Sequence, residues 1–148
     1  YGIPMAEFAI GGVLQLYKQS RFFANNQAQH GWNKHRGLLE LWGKQVTIVG
    51  CGNIGSGVAR LAEALDCKVL AYRRKPDPRY ETAGLDDLLK RSDIVTVHLP
   101  LNESTRGILS REKIALMKEN AIFGHNISSL CIYKCIISYG IIFPFVWA

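Results

Sequence analysis

Three glycines set the first chemical signal. Within "VTIVGCGNIGSG", residues 46–57, Gly50, Gly52 and Gly55 give the spacing G-x-G-x-x-G, directly after a β-branched run and directly before an apolar helical stripe. That context is what a pyrophosphate-binding turn requires. Gly50 permits the tight turn, Gly52 lets a phosphate approach the backbone with no Cβ in the way, and Gly55 lets helix and strand pack closely. The amide N–H groups of Asn53, Ile54 and Gly55 are then expected to face the phosphates, with the positive end of the helix dipole behind them. A second signal follows 18 residues beyond Gly55, where a strand ends in "AYRRKP". NAD-preferring sites usually carry Asp or Glu here for the adenosine ribose. This chain carries Arg73 and Arg74, whose guanidinium forks suit a 2′-phosphate, with no carboxylate to repel it. The expected cofactor is a nicotinamide dinucleotide, NAD or NADP, with NADP favoured.

Other reactive residue types form no convincing set. Cys131-x-x-x-Cys135 with His125 offers three ligands at a spacing that matches no zinc pattern, so no metal site is expected. Cys51, inside the glycine turn, is better explained as a packed small hydrophobe than as a reactive thiol.

The elements around the turn alternate. Residues 4–19, "PMAEFAIGGVLQLYKQ", predict a helix whose small residues allow close packing, with Pro4 in its first turn. Residues 21–44 are expected to be a surface connection ending in a turn at Gly43. "QVTIVG" is then a strand buried on both faces, and Ile54, Val58, Leu61, Ala62 and Leu65 form one helical stripe. "CKVLAY" predicts a second strand, "LDDLLKR" a short helix and "DIVTVHLP" a third strand. "REKIALMKEN" predicts a helix entered through Ser110 as N-cap, and "AIF" opens a fourth strand. This order implies right-handed βαβ crossovers: an α/β chain with a Rossmann-type doubly wound parallel sheet, incomplete, with an N-terminal helix ahead of a βαβαβαβ core. A sheet stopping at its fourth strand would leave an edge open.

The 148 residues, 48% hydrophobic, suffice for one globular core. The net charge of +6 is scattered, with no basic run, and predicts no nucleic-acid partner. Four cysteines make no disulfide framework, and a reducing cytoplasm is the expected setting. The partial dinucleotide-binding domain is expected to span residues 1–123. Residues 124–148 form an apolar tail in which Lys134 is the one Lys, Arg, Asp or Glu; Gly140 and Pro144 interrupt it, and a membrane anchor is not expected. Because the chain enters mid-pattern at Tyr1, it is expected to be a piece of a longer protein.

The segments "LLELWGKQVTIVGCGNIG", "VTVHLPLNESTRGIL" and "KIALMKENAIF" together resemble the cofactor domain of the D-isomer-specific 2-hydroxyacid dehydrogenases. The resemblance implies that the N-terminal helix crosses between domains and helps build a homodimer. It implies that His98, Leu99 and Pro100 line the cofactor site, Leu99 and Pro100 against the adenosine and the nicotinamide-proximal ribose, with His98 a strand-end residue and not a catalytic acid. The family's chemistry needs a substrate-binding arginine, a glutamate and a histidine. Where the arginine would stand, "NISSL" has Ser129, which offers one neutral hydroxyl and no charge. The glutamate and histidine belong to segments not contained in this sequence. The parent protein is thus expected to transfer hydride between NAD(P) and a D-2-hydroxy or 2-keto acid. This chain alone is expected to supply no catalytic residue and to act as an inactive binding fragment.

Overall fold

The computed structural model describes residues 2–75, 77–125 and 131–134. Two helices, α1 (Gly2–Tyr17) and α2 (Ser20–Ala28), precede the sheet. The elements that follow are β1 (Gln45–Val49), α3 (Asn53–Ala64), β2 (Lys68–Tyr72), β3 (Glu81–Thr82), α4 (Leu85–Arg91), β4 (Ile94–Val97), α5 (Arg111–Ile114), β5 (Ile122–His125) and β6 (Cys131–Lys134). The strands lie in the order β3-β2-β1-β4-β5-β6. All neighbours run parallel except β5 and β6, which pair antiparallel with Ile122 opposite Lys134. The expected Rossmann-type α/β sheet is present. Its edges are not where the four-strand expectation put them, because β3 extends one side and β6 covers β5 on the other.

β-branched and aliphatic residues make the central strands, and helices cover both faces. On one face Val46 and Ile48 of β1 meet Val58, Ala59 and Ala62 of α3, with Ala6, Ala9 and Val13 of α1 packed beyond. Small residues set that spacing: a Cβ on Gly57 would lie 2.9 Å from the Cβ of Ala6, so the helices approach closely enough to exclude water. On the other face Val49, Val95 and Val97 meet Leu85 and Leu89 of α4, together with Leu109 and Met117. Thr47, fully buried within β1, is satisfied by the Ser92 hydroxyl at 2.5 Å; that hydroxyl also bonds the Leu88 carbonyl at 2.6 Å.

Three local expectations are corrected. α1 ends two residues early because Gln19 takes a left-handed conformation (φ 51°), and the chain restarts at once as α2 rather than as a surface connection. α2 buries no residue, so it carries no apolar stripe that a sequence pattern could register. The helix entered at Ser110 is a single turn, although the Ser110 hydroxyl accepts from the Lys113 amide as an N-cap should. The turn expected at Gly43 is present, with φ 72° and its amide bonded to the Asp66 carbonyl at 2.9 Å.

Candidate functional site

Strand order decides where a site can form. From β1 the chain crosses to β2 on one side and later returns to β4 on the other, so the carboxyl ends of β1 and β4 flank the switch point of the sheet. Gly50 follows the last residue of β1, and His98 and Leu99 follow the last residue of β4. These loops touch: a Cβ on Gly50 would lie 2.8 Å from Leu99 Cδ2 and 3.0 Å from the His98 carbonyl. Gly50 also has φ 94°, a conformation that L side chains rarely adopt. Its amide bonds the Tyr72 carbonyl at 2.9 Å, while the His98 amide bonds the Val49 carbonyl at 2.8 Å, which locks the three strand ends together.

The other two glycines differ in what surrounds them. A Cβ on Gly55 would collide with the Gly50 carbonyl oxygen and reach within 3.0 Å of Ile48 Cγ2, so helix and strand meet there without room for a side chain. Around Gly52 there is nothing within 4 Å of such a Cβ. Gly52 is the N-cap of α3 and has no side chain to accept from the first-turn amides. Asn53 is exposed and Ile54 half-buried. The first turn of α3 carries no acidic residue. Amide donors, a helix dipole, open space and no repelling carboxylate together fit an anionic diphosphate.

At the end of β2, Arg73 is half-buried and Arg74 exposed. Here the expectation that no carboxylate stands nearby is corrected: Asp77 binds Arg73 Nη1 at 2.7 Å and Arg79 Nη2 at 2.8 Å. Asp77 and Arg79 lie outside the sequence expectation, although the acid four residues after Arg73 in "RRKPDPR" is a local signal for the pair.

His98 is half-buried at the end of β4, its two ring nitrogens are buried, and neither has a hydrogen-bond partner among the described residues. Burial, with a smaller contribution from His125, lowers its pKa to about 4. At neutral pH it is an uncharged imidazole, not the imidazolium that would serve as a general acid. Pro100 lies exposed beyond half-buried Leu99. The His98 shift has a measurable consequence. Between its ordinary pKa near 6.5 and its folded value near 4 the unfolded chain binds the extra proton, so stability rises with pH and is lost as pH falls through that window. Replacing His98 with Gln is expected to flatten the pH dependence of urea unfolding between about pH 6.5 and 4 by up to ~3 kcal/mol. An unchanged slope would contradict this assignment.

Among the described residues no group of three His, Cys, Asp or Glu side chains could hold a metal, and no helix is long and apolar enough to cross a membrane. Ser129 and Cys135 lie outside the described residues, as does most of the apolar tail. A separate cleft of about 810 Å³ lies between α2 and residues 30–36, lined by Phe23, Asn26, Trp32 and His35.

Comparison with known proteins identifies what this chain is similar to. Residues 10–126 match the family described as D-isomer specific 2-hydroxyacid dehydrogenase, NAD binding domain. A hydroxypyruvate reductase of Thermotoga maritima is 35% identical over 144 residues, covering 90% of this chain and 47% of the relative. A solved structure from work on the pyruvate reductase of Chlamydomonas reinhardtii superposes with a TM-score of 0.79 at 31% identity, covering 84% of this chain and 39% of that one. The D-lactate dehydrogenase of Aquifex aeolicus, solved with NAD and lactic acid, gives a TM-score of 0.77 at 27% identity, covering 82% and 38%. This chain therefore spans less than half the length of the proteins it matches.

Proposed function

Since this chain belongs to the D-isomer-specific 2-hydroxyacid dehydrogenase family through its NAD-binding domain, we propose that it is the cofactor-holding part of an oxidoreductase acting on a D-2-hydroxy or 2-keto acid. The observation that carries this is the turn at Gly50–Gly55: one glycine forced by φ, one by contact with the strand, and one left open in front of unsatisfied helix amides. Asn53, Ile54 and Gly55 hold the pyrophosphate through their N–H groups; Leu99 and Pro100 flank the nucleosides; His98 lines the same crevice as a neutral imidazole. A bound nicotinamide supplies the hydride donor or acceptor. The dinucleotide is NAD or NADP, and exposed Arg74, which has no ion pair with a described residue, favours NADP by meeting its 2′-phosphate.

In this reading the dinucleotide is held here, and the substrate-binding and proton-transfer groups come from other segments, so it reacts only beside them. In the longer protein, α1 packs along α3 and exposed apolar side chains such as Phe8, Trp32 and Trp42 form part of a homodimer contact. The 148-residue chain is expected to bind NADH and NADPH yet leave them unoxidised when hydroxypyruvate or glyoxylate is added, followed by absorbance of the reduced nicotinamide. Sustained turnover would overturn the inactive-fragment assignment.

A further inference from the structure

Between β2 and β3 the chain builds an anion site and fills it with its own carboxylate. Asp77 Oδ2 accepts from Arg73 Nη1 at 2.7 Å and from Arg79 Nη2 at 2.8 Å. Its Oδ1 accepts from Arg79 Nε and from the Arg79 amide, each at 3.1 Å. Those four bonds use the acceptor positions of a carboxylate, so Asp77 has none to spare for a ribose hydroxyl. The Asp77 side chain is only 13% exposed, and the Arg79 guanidinium is further fixed over the Tyr80 ring, 5.4 Å from its centroid. Hydrogen bonds from Arg79, and then the charges of Arg79 and Arg73, hold the Asp77 carboxyl well below the usual carboxylate range.

A bidentate guanidinium, Arg79, and a second guanidinium, Arg73, closing on one small oxyanion is how arginines also hold a phosphate. Arg73 stands directly after β2, where the adenosine ribose of a bound dinucleotide lies, and Asp77 joins Arg79 to it. We propose that Asp77 is the specificity-determining residue of the adenosine subsite: an internal anion that engages Arg73 and Arg79 and leaves Arg74 alone to meet a 2′-phosphate. The inference rests on the dinucleotide-binding function proposed above. The preference for NADP over NAD is then set by competition between a tethered carboxylate and the cofactor's phosphate. Removing the carboxylate charge releases two guanidinium groups and raises the local charge by one unit, which favours NADPH and leaves NADH, with its neutral 2′-hydroxyl, nearly unaffected.

Calorimetric titration of the wild-type chain, Asp77→Asn and Asp77→Ser with NADPH and with NADH tests this. Both variants are expected to bind NADPH roughly 10-fold or more tighter than the wild type and NADH within about 2-fold of it. Adding Arg73→Ala to Asp77→Asn is expected to cancel much of that gain. NADH affinity reports folding in every variant. Unchanged or weaker NADPH binding with intact NADH binding would overturn the role of Asp77 alone. A folded wild-type chain that binds neither dinucleotide would overturn the binding function, and this inference with it.

Discussion

Gly55→Ala is expected to cost the domain roughly 3 kcal/mol or more and to abolish dinucleotide binding. The added methyl would overlap the Gly50 carbonyl oxygen and come within 3.1 Å of the Gly50 carbonyl carbon, and both atoms belong to a backbone that cannot swing aside. Ile48 Cγ2, 3.0 Å away, belongs to a side chain that is fully buried. Relief requires α3 to lift from β1, which opens the core formed by Ile48, Val58 and Ala62 and moves the helix amides away from the turn. A domain this size commonly has about 5–15 kcal/mol of stability in total, so the loss will stand out in urea unfolding. A variant with the wild-type midpoint would show that helix and strand are not locked at this contact.

Gly52→Val separates binding from folding. With nothing within 4 Å of the new Cβ and φ at −84°, the fold accepts the side chain, apart from the ~1 kcal/mol by which valine is a poorer N-cap than glycine. The space it fills is the approach to the Asn53, Ile54 and Gly55 amides. Hydrogen bonds to a charged acceptor contribute about 1.5–3 kcal/mol each, so screening two of them weakens NADH and NADPH by ~100-fold or more. Circular dichroism and fluorescence titration on one preparation check both halves. Near-native affinity in a folded variant would remove Gly52 from the phosphate path.

Why these two glycines could be read from sequence, and other features could not, follows from how local each constraint is. Gly50, Gly52 and Gly55 answer backbone demands made within a few residues, and the flanking strand and helix advertise themselves by β-branched continuity and a stripe. The buried parallel strands β1, β2 and β4 are legible for the same reason. α2 is not, because "SRFFANNQA" buries nothing and so shows no period. β3 spans two exposed residues and exists only through its pairing with Leu70 and Ala71. Arg73 and Arg74 were visible as charges, but the capture of Arg73 by Asp77 depends on how the following loop folds back. The burial of His98 likewise depends on neighbouring strand ends that "HLPL" does not reveal.

The most direct test of the central claim watches the first-turn amides themselves. In an isotope-labelled chain titrated with NADH, the N–H resonances of Asn53, Ile54 and Gly55 are expected to shift furthest and to saturate together, with smaller shifts at Leu99. Saturable binding that leaves those three resonances in place, or a folded chain in which none of them moves, would contradict the account.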